Sequence, residues 1–133
     1  MEKRIFVSVP AYGQMVTSAT LSSLMALNRE LTVRGIDGGF STLSYPDIAE
    51  VRNIMLTIWY DKIKTSHMLF VDADMGFSPQ LIMDMFNFDK PLVGALCPKK
   101  ILPVQFAGRA KEGDVRIING HMEVAGVGGA LML

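Results

Sequence analysis

The sequence predicts an α/β fold, with a mostly parallel sheet flanked by helices and a small antiparallel appendage at the C-terminal end. Three observations carry that expectation. Short, near-continuous apolar runs stand at residues 5–9, 67–71 and 92–96, the pattern of strands buried on both faces. Helical periodicity fills the intervals, so strand and helix alternate along the chain up to residue 100. Beyond it the helical signal stops, and brief β-like runs follow one another between Gly-Arg and Asn-Gly turns.

Each element has its own justification. Ile5-Phe-Val-Ser-Val9 is a β-rich run halted by Pro10-Ala-Tyr-Gly13. Thr17 and Ser18 are N-cap residues for a helix whose apolar face is read from Leu21, Leu24, Met25 and Leu31, with Gly35 as its stop. Residues 36–43 read as a second strand, diluted by Gly38 and Gly39 but supported by Phe40 and Leu43. Asp47 with Glu50 three residues later forms the Asp variant of a capping box. Ile48, Val51, Met55, Ile58 and Trp59 then recur at helical period, and Lys62 and Lys64 suit the negative end of the helix dipole. His67-Met-Leu-Phe-Val71 is the next strand, and Ser78-Pro79 caps and starts a helix through about Asn87. Leu92-Val-Gly-Ala-Leu96 completes the expected parallel set. Residues 104–106, 115–118 and 122–124 are the β-like runs of the appendage.

With 133 residues the chain is one domain, divided by these signals into an α/β core at 1–100 and a β-rich appendage at 101–133. The apolar run at 125–133 ends without a cap or polar tail, which reads as a cut through a larger domain. Thirteen basic and thirteen acidic side chains cancel, so no overall field draws the chain to nucleic acid, and none is expected as a partner. The single cysteine, Cys97, cannot pair internally and has no activating neighbour; a reducing, cytoplasmic setting is expected. Pro10 ends the N-terminal apolar run too early for a signal peptide, and no run is long enough to span a membrane.

In an open parallel sheet, ligands bind beyond the carboxyl ends of the strands. That address gathers Tyr12 and Gly13, Asp72 and Asp74, Lys99 and Lys100, and, early in the capped helix, Arg52. Two carboxylates at alternate positions repel unless a cation lies between them. Oxygen ligands of this kind suit Mg²⁺ or Mn²⁺, which take their remaining ligands from water and substrate phosphates. The blander readings are a turn cap for the aspartates and a solvated charge, or a partner for Asp47 or Glu50, for Arg52. His67 reads as structural, His121 as exposed, and the glycines at 126, 128 and 129 as no phosphate loop.

Ile5-Phe-Val-Ser-Val-Pro-Ala-Tyr12, Asp47-Ile-Ala-Glu-Val-Arg-Asn53 and His67-Met-Leu-Phe-Val-Asp-Ala-Asp-Met-Gly-Phe77 together resemble the nucleotide-binding part of a GT-A-type glycosyltransferase, of the family 2-like kind. Val93 to Lys100 and Val127 to Leu133 also look like segments of such proteins. The resemblance implies a Rossmann-like GT-A fold that binds a UDP- or GDP-sugar. It implies that Asp72 and Asp74, around Ala73, hold Mn²⁺ or Mg²⁺ against the donor diphosphate. It places Pro10, Ala11 and Tyr12 against the base and Arg52 near base or phosphates, while an acceptor hydroxyl attacks the anomeric carbon. In inverting relatives the general base follows the final strand seen here. Glu112, Asp114 and Glu123 do not match its motif, so no catalytic residue is assigned. Donor sugar, acceptor and stereochemistry stay open.

Two other readings compete. A haloacid-dehalogenase-type, Mg²⁺-dependent phosphatase also places Asp-x-Asp after an apolar strand, with Asp72 as nucleophile, although usually near the chain start. A non-enzymatic nucleotide-sugar-binding or assembly fragment would use an exposed final strand to pair with a second copy.

Overall fold

The computed structural model describes residues 2–133. Strands β1 (Arg4–Pro10), β2 (Asp37–Leu43) and β3 (His67–Val71) alternate with helices α1 (Ser18–Val33), α2 (Ile48–Ile58) and α3 (Pro79–Phe88). The remaining strands are short: β4 (Cys97–Pro98), β5 (Phe106–Ala110), β6 (Ile117–Ile118), β7 (His121–Met122), β8 (Val124–Val127) and β9 (Leu131–Met132). The fold is α/β, as expected, but its main sheet has four strands in the order β2-β1-β3-β9 and is mixed. β1 runs parallel to both β2 and β3, whereas β9 is antiparallel to β3.

Period-two alternation sorts the strand residues between two apolar layers. Ile5, Val7 and Val9 of β1 and Leu69 and Val71 of β3 pack with Leu27 and Leu31 of α1 and with Ile82, Met83, Met85 and Phe86 of α3. The intervening Met68 and Phe70 face the other way and meet Val51 and Met55 of α2. Helices therefore cover both faces, which is why residues 68–71 are apolar throughout.

The caps form as the residue types require. Asp47 accepts from the Glu50 N–H at 2.9 Å, Thr17 from the Thr20 N–H at 3.2 Å, and Ser78 from the Gln80 N–H at 3.3 Å, with Pro79 in the first turn of α3. Helix α2 stops at Ile58 and passes into a wide turn over residues 59–63. Lys64, at φ 55°, closes that turn, and the Trp59 indole donates to Thr65 Oγ1 at 2.7 Å.

Several expectations need correction. Residues 92–96 do not form a parallel strand. Val93 and Leu133 exchange backbone hydrogen bonds at 2.8 Å each, and the Ala95 N–H donates to Leu131 O at 3.0 Å. This segment thus borders the main sheet as an irregular antiparallel neighbour of β9, and β9 occupies the place beside β3 that the local pattern had suggested for it. The apolar run at 130–133 outcompetes it there, with Leu131 only 1% exposed. The boundary at residue 100 is crossed for the same reason, because the last strand returns to the core sheet. The final strand is not an exposed edge either, since it is bonded to β3 on one side and to residues 93–95 on the other.

In the appendage, β5 pairs with β4 and β8, and β6 with β7, all antiparallel, at positions shifted from the runs read in the sequence. The face of α1 also differs from the reading. Leu21 and Met25 are exposed, while Thr20 and Ser23 are buried beside Leu27 and Leu31. Ile48 and Ile58 likewise lie outside the buried set of α2. His121, expected to be exposed, is half-buried and stacked on Phe88 at 3.8 Å between ring centroids.

Two predictions arise here. A Cβ on Gly94 would lie 2.5 Å from Val127 Cγ2, so the 93–95 segment crosses β8 at a distance only glycine allows. Gly94→Ala is expected to cost about 1–3 kcal/mol through overpacking, read as a lowered urea midpoint. His67 lies against the Phe86 ring at 4.4 Å, and its pKa is pushed below the ordinary 6.5, first by burial, then by the Lys3 charge, with Asp89 opposing. The unfolded chain therefore takes up this proton first as pH falls. The contribution of His67 to stability is complete above about pH 6.5 and is lost on acidification toward the lower folded value. Urea midpoints at about pH 7.5 and about pH 5.5 should diverge more for the wild type than for His67→Gln.

Candidate functional site

The chain leaves β1 toward β2 on one side and then crosses to β3 on the other. The strand order reverses between β1 and β3, and their carboxyl ends part there to open a crevice. A cleft of about 550 Å³ occupies that position. Pro10, Ala11 and Tyr12 wall it from β1, Asp72, Ala73 and Asp74 from β3, and Tyr45, Pro46 and Ile48 from the entry to α2.

Backbone bonds hold each wall. The Ala11 N–H donates to Leu43 O at 3.0 Å, tying the end of β1 to the end of β2. A short turn over Tyr12–Gln14, with Gly13 at φ 65°, then leaves Tyr12 77% exposed at the rim. On the opposite wall, Ala73 O accepts from the Thr17 N–H and from Thr20 Oγ1, both at 2.8 Å. The Phe77 N–H donates to Ser23 Oγ at 2.9 Å. The polar residues of α1 are buried because they strap the loop after β3, and this is what displaced the apolar face. With the Ala73 carbonyl committed to α1, the side chains of Asp72 and Asp74 flank a fixed backbone.

The two carboxylates have different partners. Arg52 Nη2 donates to Asp72 Oδ1 at 2.6 Å and to Gly129 O at 2.8 Å. Its guanidinium carbon lies 5.9 Å from the Phe70 ring centroid. Asp74 pairs with the Lys100 ammonium. The first pair is largely enclosed, at 26% and 31% side-chain exposure. The second lies in solvent, with Lys100 at 83%. Arg52 is bonded to Asp72 and to the Gly129 carbonyl, and to neither Asp47 nor Glu50. It adjoins the cleft through Asp72, which lines it.

The other candidates fall outside the cleft wall. Cys97 is buried, and its thiol is pushed up by burial and then by the Asp72 charge, which leaves it an inert small hydrophobe. The Lys99 N–H donates to Gln105 O at 2.6 Å as part of the appendage. Glu123 is engaged by Lys111 at 2.7 Å, and that hydrogen bond and charge hold its carboxyl below the usual range, unlike a poised base. Glu112 and Asp114 are exposed in the turn after β5.

Besides Thr20 and Ser23, the loop after β2 and Gly129 were missed in the sequence. Tyr45 and Ile48 follow β2, whose end lies on the same edge, so the address argument applied to that loop would have found them. Gly129 gave no such signal. A Cβ there would come within 2.5 Å of Arg52 Nη1, so the glycine allows the guanidinium to pass beneath the turn into β9.

Comparisons with protein-family models, curated proteins and solved structures return no match for this chain. The cleft itself therefore carries the functional reading. It offers two aromatic side chains at the mouth, two oxygen-donor side chains at the floor edge, and a fixed backbone between them.

Proposed function

We propose that this chain is a Rossmann-like, GT-A-type nucleotide-sugar-binding domain of a glycosyltransferase. The observation that carries the reading is one cleft, at the reversal of strand order, that joins Tyr12 and Tyr45 to Asp72-Ala73-Asp74. Flat apolar surfaces beside hard oxygen donors suit a ligand with a base at one end and a diphosphate at the other.

The donor set fits Mn²⁺ or Mg²⁺ of the substrate-dependent kind. No group of three His, Cys, Asp or Glu side chains able to hold a metal alone is found among the described residues. Two carboxylates are nonetheless what such ions ordinarily take from protein when phosphates supply further ligands. Asp72 and Asp74 would hold the ion, and Lys100, an exposed surface partner of little energetic weight, would yield Asp74 at small cost. When bound, the ion supplies charge neutralisation for the departing nucleoside diphosphate. The chain's own residues do the rest of the binding. Tyr12 and Tyr45 flank the base, Pro10 and Ala11 form its floor, and Thr17, Thr20 and Ser23 hold the aspartate loop in place. The acceptor is a hydroxyl compound.

Titration calorimetry with UDP- and GDP-sugars, in Mn²⁺ and in EDTA, tests the reading. We expect metal-dependent binding of one nucleotide class, lost by at least tenfold in Asp74→Ala. Absence of metal-dependent binding by either class would sink the proposal. A phospho-aspartate trapped at Asp72 with an aryl phosphate would replace it with the phosphatase reading.

A further inference from the structure

We infer that Arg52 is a positioning residue for Asp72, working with Gly129, rather than a contact for the nucleotide. The inference deepens the proposed function and rests on reading Asp72 as a cation ligand. One nitrogen of Arg52 bridges Asp72 Oδ1 at 2.6 Å and Gly129 O at 2.8 Å, so a single guanidinium links α2, the end of β3 and the turn into β9. The Asp72 N–H donates to Ala130 O at 2.8 Å, which closes the same junction through the backbone. The Phe70 ring lies 5.9 Å from the guanidinium carbon, and the Gly129 backbone passes so close that a Cβ would collide with Nη1. The guanidinium is thus held by its two acceptors rather than by a group of the cleft.

The consequence concerns which oxygen is available. Oδ1 of Asp72 already accepts from Arg52, so Oδ2 is the freer oxygen for a cation, and the bond to Arg52 sets the orientation of the carboxylate. Charge-assisted hydrogen bonds of this kind hold geometry more firmly than neutral ones. A ligand carboxylate held by a second partner is the usual way in which a metal site is pre-organised. The final strand, far from the cleft in sequence, thereby sets the presentation of the first aspartate.

The test measures dissociation constants for UDP and GDP, in Mn²⁺ and in EDTA, for the wild type, Arg52→Gln, Arg52→Lys and Gly129→Ala. The increment given by Mn²⁺ should fall at least tenfold in Arg52→Gln and at least threefold in Gly129→Ala. It should recover in part in Arg52→Lys, while the constants in EDTA stay within twofold throughout. Equal weakening in EDTA would show that Arg52 touches the nucleotide, and an unchanged Mn²⁺ increment would show that it positions nothing; either result overturns the inference. Should Arg52→Gln fail to fold, Gly129→Ala decides. A wild type that binds no nucleotide with Mn²⁺ defeats the proposed function instead. Amide exchange then judges the clamp, with protection at the Asp72 N–H reduced in Arg52→Gln and in Gly129→Ala, and less so in Arg52→Lys, if it holds, and unchanged in all three if it does not.

Discussion

Asp72→Ala is expected to lose both ligand binding and stability, whereas Asp74→Ala loses binding alone. The contrast follows from their partners. Removing the Asp72 carboxylate leaves the Arg52 guanidinium, 26% exposed and already carrying a buried Nε with no hydrogen-bond partner among the described residues, without its counter-charge. A charged hydrogen bond in such a setting contributes about 1.5–3 kcal/mol. The loss should appear as a clear fall in urea midpoint together with loss of metal-dependent nucleotide binding. Lys100, by contrast, is 83% exposed, so Asp74→Ala should stay within about 0.5 kcal/mol of wild type. Equal midpoints for the two variants would show that the Arg52–Asp72 contact contributes nothing to the fold.

The second large effect is Phe86→Ala. Phe86 is 2% exposed and packs in the layer formed by α1, α3 and the inner faces of β1 and β3, with the His67 ring beside it. Truncation leaves a cavity where a ring was and is expected to cost about 3–5 kcal/mol. Domains of this size have about 5–15 kcal/mol in total. The variant should therefore unfold at much lower urea concentration and show a partly unfolded population at moderate temperature by circular dichroism. A midpoint unchanged from wild type would mean that the helix α3 layer is not part of the cooperative core.

The different fates of the sequence signals have a common origin. The run at 67–71 and the capped helix after Asp47 were legible because each is determined locally: a strand covered on both faces must be apolar throughout, and a cap needs its side chain within three residues of its target. The run at 92–96 was as apolar as the run at 67–71, yet it borders the sheet irregularly because residues 131–133 took the adjacent place. Local hydropathy cannot rank two apolar segments that compete for one edge. Thr20 and Ser23 were passed over for a similar reason: a hydroxyl is buried only when a distant carbonyl or N–H needs it, and Ala73 and Phe77 lie some fifty residues away, at separations of 53 and 54.

By itself the sequence determined the alternation of β1, α1, β2, α2, β3 and α3, the caps, and the placing of Asp72 and Asp74 after a buried strand. These follow from side-chain period and short-range hydrogen bonding, which neighbouring residues decide among themselves. The tertiary structure alone decided that the sheet is mixed and that Arg52 bridges Asp72 and the Gly129 carbonyl. Those outcomes depend on which distant segments meet, β3 with β9 and Arg52 with partners 20 and 77 residues away, and such meetings are settled by competition for packing and for hydrogen-bond partners across the whole chain.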